Sequence, residues 1–266
     1  MINPDLSVVP TAEEISSQLE LLTCEHCMKG DLLPFGFSFA FQPIVDIASR
    51  KVHSYEALVR GPKGEGAQSV LSQVTRKNRF RFDQLCRAKA ISLASALDIQ
   101  TYLNINFLVN AVYNPDQCIR VTLECARKNN FPIDRIILET TEEEKIEDPK
   151  FLHSVLDGYR KYGLFIAIDD FGEGYSSLNL VAQIVPDYLK IDRQLITGID
   201  TDTVRRRIVE TMVHLCRSLS IRIIAEGIET LGEARTLRDM GITLFQGYFF
   251  ARPAFESLPP VTNMDF

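Results

Sequence analysis

The sequence predicts an α/β fold, a modified TIM-type (βα)8 barrel whose first strand runs antiparallel to the others. Three observations predict it. Eight short apolar segments recur along the 266 residues. Most of the gaps between them carry helical periodicity, which implies parallel strands joined by crossover helices. One gap is too short for such a crossover. A chain of this length suits a single barrel of about 250 residues. With 45% hydrophobic and 24% charged residues, it has the composition of a folded core and not of a disordered segment.

Taken in order, residues 1–38 read as a leader, helical from Ala12 to Leu22. The candidate strands are FAFQPIVD (39–46), HSYEALV (53–59), TYLNINF (101–107), RIILET (135–140), LFIAIDD (164–170), DYLKID (187–192), IRIIAEG (221–227) and ITLFQGY (242–248). Only Ile47 to Val52 separate the first two. A parallel connection needs roughly a dozen residues, so these two strands should form an antiparallel hairpin. Asp148-Pro149 reads as an N-cap and first helical position, followed by an apolar stripe of Leu152, Val155, Leu156 and Tyr159 and closed by Gly163. A second stripe comprises Ile208, Met212, Leu215, Cys216 and Leu219, and a third helix runs from Leu231 to Met240. The barrel is expected over 39–257, with 258–266 as a tail. No internal repeat is visible.

Several function classes are disfavoured. The net charge of −6 gives no bulk signal for DNA binding. Arg205-Arg206-Arg207 reads as a solvated helix surface, and the basic stretch Arg76 to Arg81 as charge on a loop between helices. No apolar run is long enough to span a bilayer, and the N-terminus has no signal-peptide core, so a cytoplasmic protein without membrane insertion is expected. The six cysteines read as reduced thiols. Cys24, His26 and Cys27 supply half a zinc set with no second pair to complete it. Asp170-Phe171-Gly172 lacks the catalytic and glycine-rich loops of a kinase, and no P-loop is present.

Barrel chemistry sits at the C-terminal ends of the strands. From the second strand on, these ends carry Glu56, Asn104, Glu139, Asp169 with Asp170, Lys190, Glu226 and Gln246. One such group would be a solvated strand end; a series over seven successive strands points to one shared mouth. Five carboxylates there repel each other unless cations bind. Hard oxygen donors suit Mg²⁺ or Mn²⁺, and the carboxylate count suits two ions with Asp169 as the bridge. Lys190 is the one cation in the series, able to hold water or a phosphate oxygen, or to pair with an acid. Arg60, just past Glu56, is a candidate phosphate contact.

At these residues the sequence resembles the EAL-domain cyclic-di-GMP phosphodiesterases. FQPIVD, YEALVR, LNIN, LETTE, DDFGEGYSSL, LKID, AEGIE and QGYFF occur in the family's order over residues 39–254. The resemblance implies hydrolysis of cyclic di-GMP to linear pGpG with two Mg²⁺ or Mn²⁺ ions. It implies Glu56, Asn104, Glu139 and Asp169 as ligands of the first ion, and Asp169, Asp170 and Glu226 as ligands of the second. Lys190 is implied as the residue that positions the attacking water, with Glu226 and Glu56 as further candidate catalytic groups. Glu142 resembles the glutamate that pins the loop after Asp170. Gln42, Arg60, Asp170, Glu229 and Gln246 match substrate-site positions. Homodimerisation near that loop is also implied, and a regulatory protein partner is a separate expectation.

The sequence departs from the family pattern at Glu173, where a threonine is usual, and between Gly61 and Arg87, where a tryptophan and a FIPxAE-like segment are missing. No cyclase partner domain or complete sensor is expected within the leader. Two alternatives remain: a catalytically silent EAL domain acting as a cyclic-di-GMP receptor or protein-binding regulator, and an unrelated metal-dependent barrel lyase. Silent relatives usually lack metal ligands, and here every ligand position carries the expected residue type. The lyase reading leaves the run of motifs unexplained.

Overall fold

A computed structural model of the chain describes residues 33–108, 112, 114–141, 149–172 and 177–266. Strands β1 (Ser38–Asp46) and β2 (Lys51–Arg60) form the expected antiparallel hairpin, with Gln42 opposite Glu56. From β2 the sheet continues in parallel through β3 (Tyr102–Asn106), β4 (Ile136–Thr141), β5 (Phe165–Phe171), β6 (Tyr188–Ile191), β7 (Arg222–Ala225) and β8 (Leu244–Phe245). It closes where β8 pairs antiparallel with β1. A ninth strand, β9 (Ala254–Phe255), adds to β1. The sequence reading missed it because two residues carry no periodicity.

The helices are α1 (Ala67–Leu71), α2 (Arg79–Ala96), α3 (Pro115–Lys128), α4 (Pro149–Arg160), α5 (Ser177–Ile184), α6 (Arg193–Ile196), α7 (Thr203–Ser218) and α8 (Leu231–Asp239). The starts of α3, α6, α7 and α8 follow capping chemistry. Asn114 accepts from the Gln117 amide ahead of Pro115, Asp202 accepts from Val204 and Arg205, and Thr230 with Glu233 forms a capping box. Gly163, at φ 90°, ends the turn after α4 in a conformation that suits glycine.

Two apolar layers result. One lies between the barrel and its helices and takes in Leu152, Val155, Leu156 and Tyr159, as the α4 stripe predicts. On α7 the expected stripe is rotated. Val209, Met212, Val213 and Cys216 are buried, while Ile208 and Leu219 are 43% and 41% exposed, because the helix turns a neighbouring row of positions to the barrel. The second layer fills the barrel interior with Ile44, Ile137, Ala167, Tyr188, Ile224 and Leu244. Fully burying one such side chain contributes about 1.5–3 kcal/mol.

Strand alternation then determines what lies above this plug. Positions two residues on, Glu139, Asp169, Lys190, Glu226 and Gln246, point the same way as Ile137, Ala167, Tyr188, Ile224 and Leu244. On the reversed β1 the equivalent position is two residues earlier, Gln42.

Candidate active site

Lys190 is the centre of the polar layer. It is 1% exposed, and its ammonium reaches Glu226 Oε1 at 2.7 Å, Asp169 Oδ1 at 3.0 Å, Glu139 Oε2 at 3.1 Å and Glu56 Oε2 at 3.3 Å. These acids come from β2, β4, β5 and the residue after β7. Asn104 Nδ2 donates to Glu139 Oε1 at 2.7 Å, Gln246 Nε2 donates to Glu56 Oε2 at 2.8 Å, and Asn106 Nδ2 donates to Glu56 Oε1 at 3.2 Å.

One ammonium against three buried carboxylates and the half-buried Glu226 leaves an excess of negative charge. Burial pushes the carboxyls of Glu139 and Glu226 well above their usual range, against the pull of Lys190, and raises Asp169 as well. Burial acts in the same direction on Glu56, but Lys190 and hydrogen bonds from Gln246 and Asn106 together hold it low. Burial disfavours the Lys190 ammonium, yet the surrounding acids hold its pKa well above the ordinary value.

Asp170 reaches the same mouth by a different device. As the next residue along a strand it should face outward. Instead the β5–β6 register shifts between Ile168 and Phe171, and Asp170 takes φ 53°. Aspartate tolerates this left-handed conformation better than most residues, and the bulge re-aims its side chain. Its amide donates to Asp169 Oδ1 at 2.9 Å.

Two carboxylate triads follow: Glu56, Glu139 and Asp169, and Asp169, Asp170 and Glu226. In each, the ligand atoms lie within 4.8 Å of one another. Asp169 is common to both. Beside the first triad, Asn104 Oδ1 is buried with no hydrogen-bond partner. A buried carbonyl oxygen without a donor is costly, and a cation would satisfy it. This all-oxygen donor set fits Mg²⁺ or Mn²⁺.

The cluster forms the floor of a cavity of about 380 Å³, whose lining includes Gln42, Glu229, Arg193 and Tyr248. Gln42 is buried and donates to the Ala251 carbonyl. The loop carrying Glu226 and Glu229 is braced by the Glu233 carboxylate, which accepts from the amides of Gly198, Glu229 and Thr230. Arg60 donates to its neighbouring Val59 carbonyl and is not among the cavity-lining residues. Glu142, Glu173 and Cys24 to Cys27 lie outside the described residues; the described cysteines Cys86, Cys118, Cys125 and Cys216 are not joined in disulfides.

The sequence reading missed Asn106, Arg193 and Tyr248. Asn106 was recoverable, because it stands two residues after Asn104 and so shares its strand face. Arg193 and Tyr248 follow the LKID and QG motifs, and nothing in the sequence pattern turns them to the mouth.

The chain matches the EAL domain family over residues 35–253. It is 31% identical over 226 residues to the blue light- and temperature-regulated antirepressor BluF of Escherichia coli, covering 84% of this chain and 56% of BluF. It is 28% identical to a protein of the same organism named "Probable cyclic di-GMP phosphodiesterase PdeG", covering 84% of this chain and 45% of that one. The chain thus spans about half the length of these curated relatives. A standalone versatile EAL protein from Vibrio cholerae O395, crystallised with c-di-GMP, superposes with a TM-score of 0.84 at 47% identity, covering 87% of this chain and 98% of that one. Klebsiella pneumoniae BlrP1, in a manganese/cyclic-di-GMP complex, gives a TM-score of 0.78 at 35% identity over 85% of this chain and 58% of that one. With its acids gathered at one mouth of a barrel whose first strand is reversed, the chain belongs to the EAL domain family.

Proposed function

We propose that the protein hydrolyses cyclic di-GMP to linear pGpG at this mouth, with two Mg²⁺ or Mn²⁺ ions. The observation that carries the reading is the pair of carboxylate triads sharing Asp169, beside the unpartnered Asn104 oxygen. Glu56, Asn104, Glu139 and Asp169 would hold one ion, and Asp169, Asp170 and Glu226 the other. Such ions supply Lewis acidity toward phosphoryl oxygens and lower the pKa of water.

The chain's own residues do the rest. Lys190 is buried at the floor of the cavity. Once its acids are otherwise engaged, its N–H donors serve the water or a phosphoryl oxygen. Gln246 and Asn106 orient the two oxygens of Glu56. Glu226, at the rim side of Lys190, is a candidate proton acceptor. Gln42, Glu229 and Asp170 line the substrate's path, and Arg193 offers it a positive charge. Arg60 would contact substrate only by releasing the Val59 carbonyl. The proposal includes cytoplasmic action as a homodimer under a regulatory protein partner, for which sedimentation gives the first test.

The direct test incubates purified protein with cyclic di-GMP and Mn²⁺ and separates products by chromatography. Wild type should yield pGpG; Glu56→Ala, Asp169→Asn and Lys190→Ala should lose most turnover while keeping a native circular dichroism spectrum. Asp169→Asn turning over at the wild-type rate would refute the bridging role. Cyclic di-GMP bound but uncut by wild type would instead support a receptor, the reading that similarity to the antirepressor BluF favours.

A further inference from the structure

We infer that residues 258–266 are a positioning strap for the active site, acting through the turn that carries Gln246. Strand β8 ends at Phe245, so Gln246 stands just beyond the last ladder pair, and residues 246–251 have no strand to hold them. Two of their amides are held from the barrel side, those of Phe250 and Ala251 turn back to the Gly247 carbonyl, and the Gln246 carbonyl accepts from the Ile228 amide. Gln246 N donates to Ala225 O, and Phe249 N donates to Ile228 O. The carbonyls of Phe249 and Phe250 are held by the C-terminal segment. Asn263 Nδ2 donates to Phe249 O at 2.7 Å, and Thr262 donates to Phe250 O through both its amide and its hydroxyl, each at 3.1 Å.

Phe266 completes the strap. Its ring stacks on Phe245 at 6.3 Å and 16°, and meets Phe249 and Phe250 at 5.9 and 6.2 Å. Arg238 of α8 lies over the same ring at 5.6 Å and donates to the Phe266 carbonyl. One aromatic side chain therefore packs on the residue before Gln246 and on two residues shortly after it. Gln246 in turn donates to Glu56 Oε2, an oxygen that also faces Lys190. The strap thus acts on Glu56 at two removes. Loosening it lets Gln246 drift and leaves Glu56 less well oriented toward a cation.

The ligand arm of this inference rests on the proposed function; the backbone arm does not. Hydrogen–deuterium exchange is followed on wild type and Phe266→Ala without ligand, and Mn²⁺ affinity and cyclic-di-GMP kinetics are measured on both. The strap predicts exchange about tenfold faster at residues 246–251, with α3 unchanged. It predicts Mn²⁺ half-saturation weakened by about tenfold, as for other partners of metal ligands, with kcat at saturating Mn²⁺ nearly retained. Phe266→Leu, which keeps apolar contact, should recover part of both. If Phe266→Ala does not fold, Asn263→Ala combined with Thr262→Val carries the same test. Uniformly faster exchange, or unchanged Mn²⁺ affinity, overturns the strap and leaves only a stabilising tail. Wild type that binds Mn²⁺ but cleaves nothing overturns the proposed function, while exchange and Mn²⁺ affinity still judge the strap.

Discussion

Replacing Lys190 with methionine removes the one cation among the described residues that contacts Glu56, Glu139, Asp169 and Glu226, while keeping most of the side-chain volume. At the observed 2.7–3.3 Å, and with an effective dielectric of about 20, each contact is worth about 5–6 kcal/mol before desolvation and proton uptake. Proton uptake absorbs much of that, because burial already raises Glu139, Glu226 and Asp169. Losing one partner of a buried ionic group typically costs about 3–5 kcal/mol net. The pH dependence is the sharper signature. Without the ammonium, the uncompensated negative charge favours a further proton on the native cluster. Each proton held by the native state but released on unfolding makes stability fall with rising pH, by about 1.4 kcal/mol per unit. Urea unfolding of apo wild type and Lys190→Met from pH 6 to 8 should therefore show a gap that widens by about 3 kcal/mol. Saturating Mn²⁺ should narrow it. A gap independent of pH and of Mn²⁺ would refute the electrostatic account of the cluster.

Because burial raises Glu139, Glu226 and Asp169, metal must displace protons; calorimetry in buffers of differing ionisation enthalpy should record proton release, with Mn²⁺ affinity falling as pH falls. Asp83 and Arg87 form a buried pair at 2.8 Å on α2, with Asp83 also accepting the Leu108 amide, so Asp83→Asn should lose about 3–5 kcal/mol in urea; a loss well under about 1 kcal/mol would contradict it. Burial and Arg222 lower His53 to about 4, so the neutral ring is the stable form. Its contribution is present above its unfolded pKa near 6.5 and is lost as pH falls toward 4. Discounted for partial exposure, wild type should lose roughly 1 kcal/mol more than His53→Phe between pH 7 and 5; parallel stability curves would contradict this.

The barrel was legible because its inner strands alternate so cleanly. Ile137 and Glu139, Tyr188 and Lys190, and Ile224 and Glu226 each place an apolar floor residue two positions before a functional one. The reversed first strand followed from chain length alone, since residues 47–52 cannot cross a barrel. What stayed hidden depends on backbone that breaks the period. The bulge turning Asp170 inward, the two-residue β9 and the packing of Phe266 on Phe245 leave no repeat to count. The α7 stripe misled because five apolar positions admit two neighbouring faces, and only contact with the barrel selects one.

The reversal of β1 has a consequence for how this domain could be wired. In an all-parallel barrel, the chain enters its first strand at the end remote from the chemistry. Here Ser38, where β1 begins, lies opposite Arg60, where β2 ends, four residues past Glu56. The polypeptide leading into the domain therefore arrives at the lip of the acidic cavity. Tension or rotation applied there would reach Gln42 within four residues, without passing through the body of the barrel.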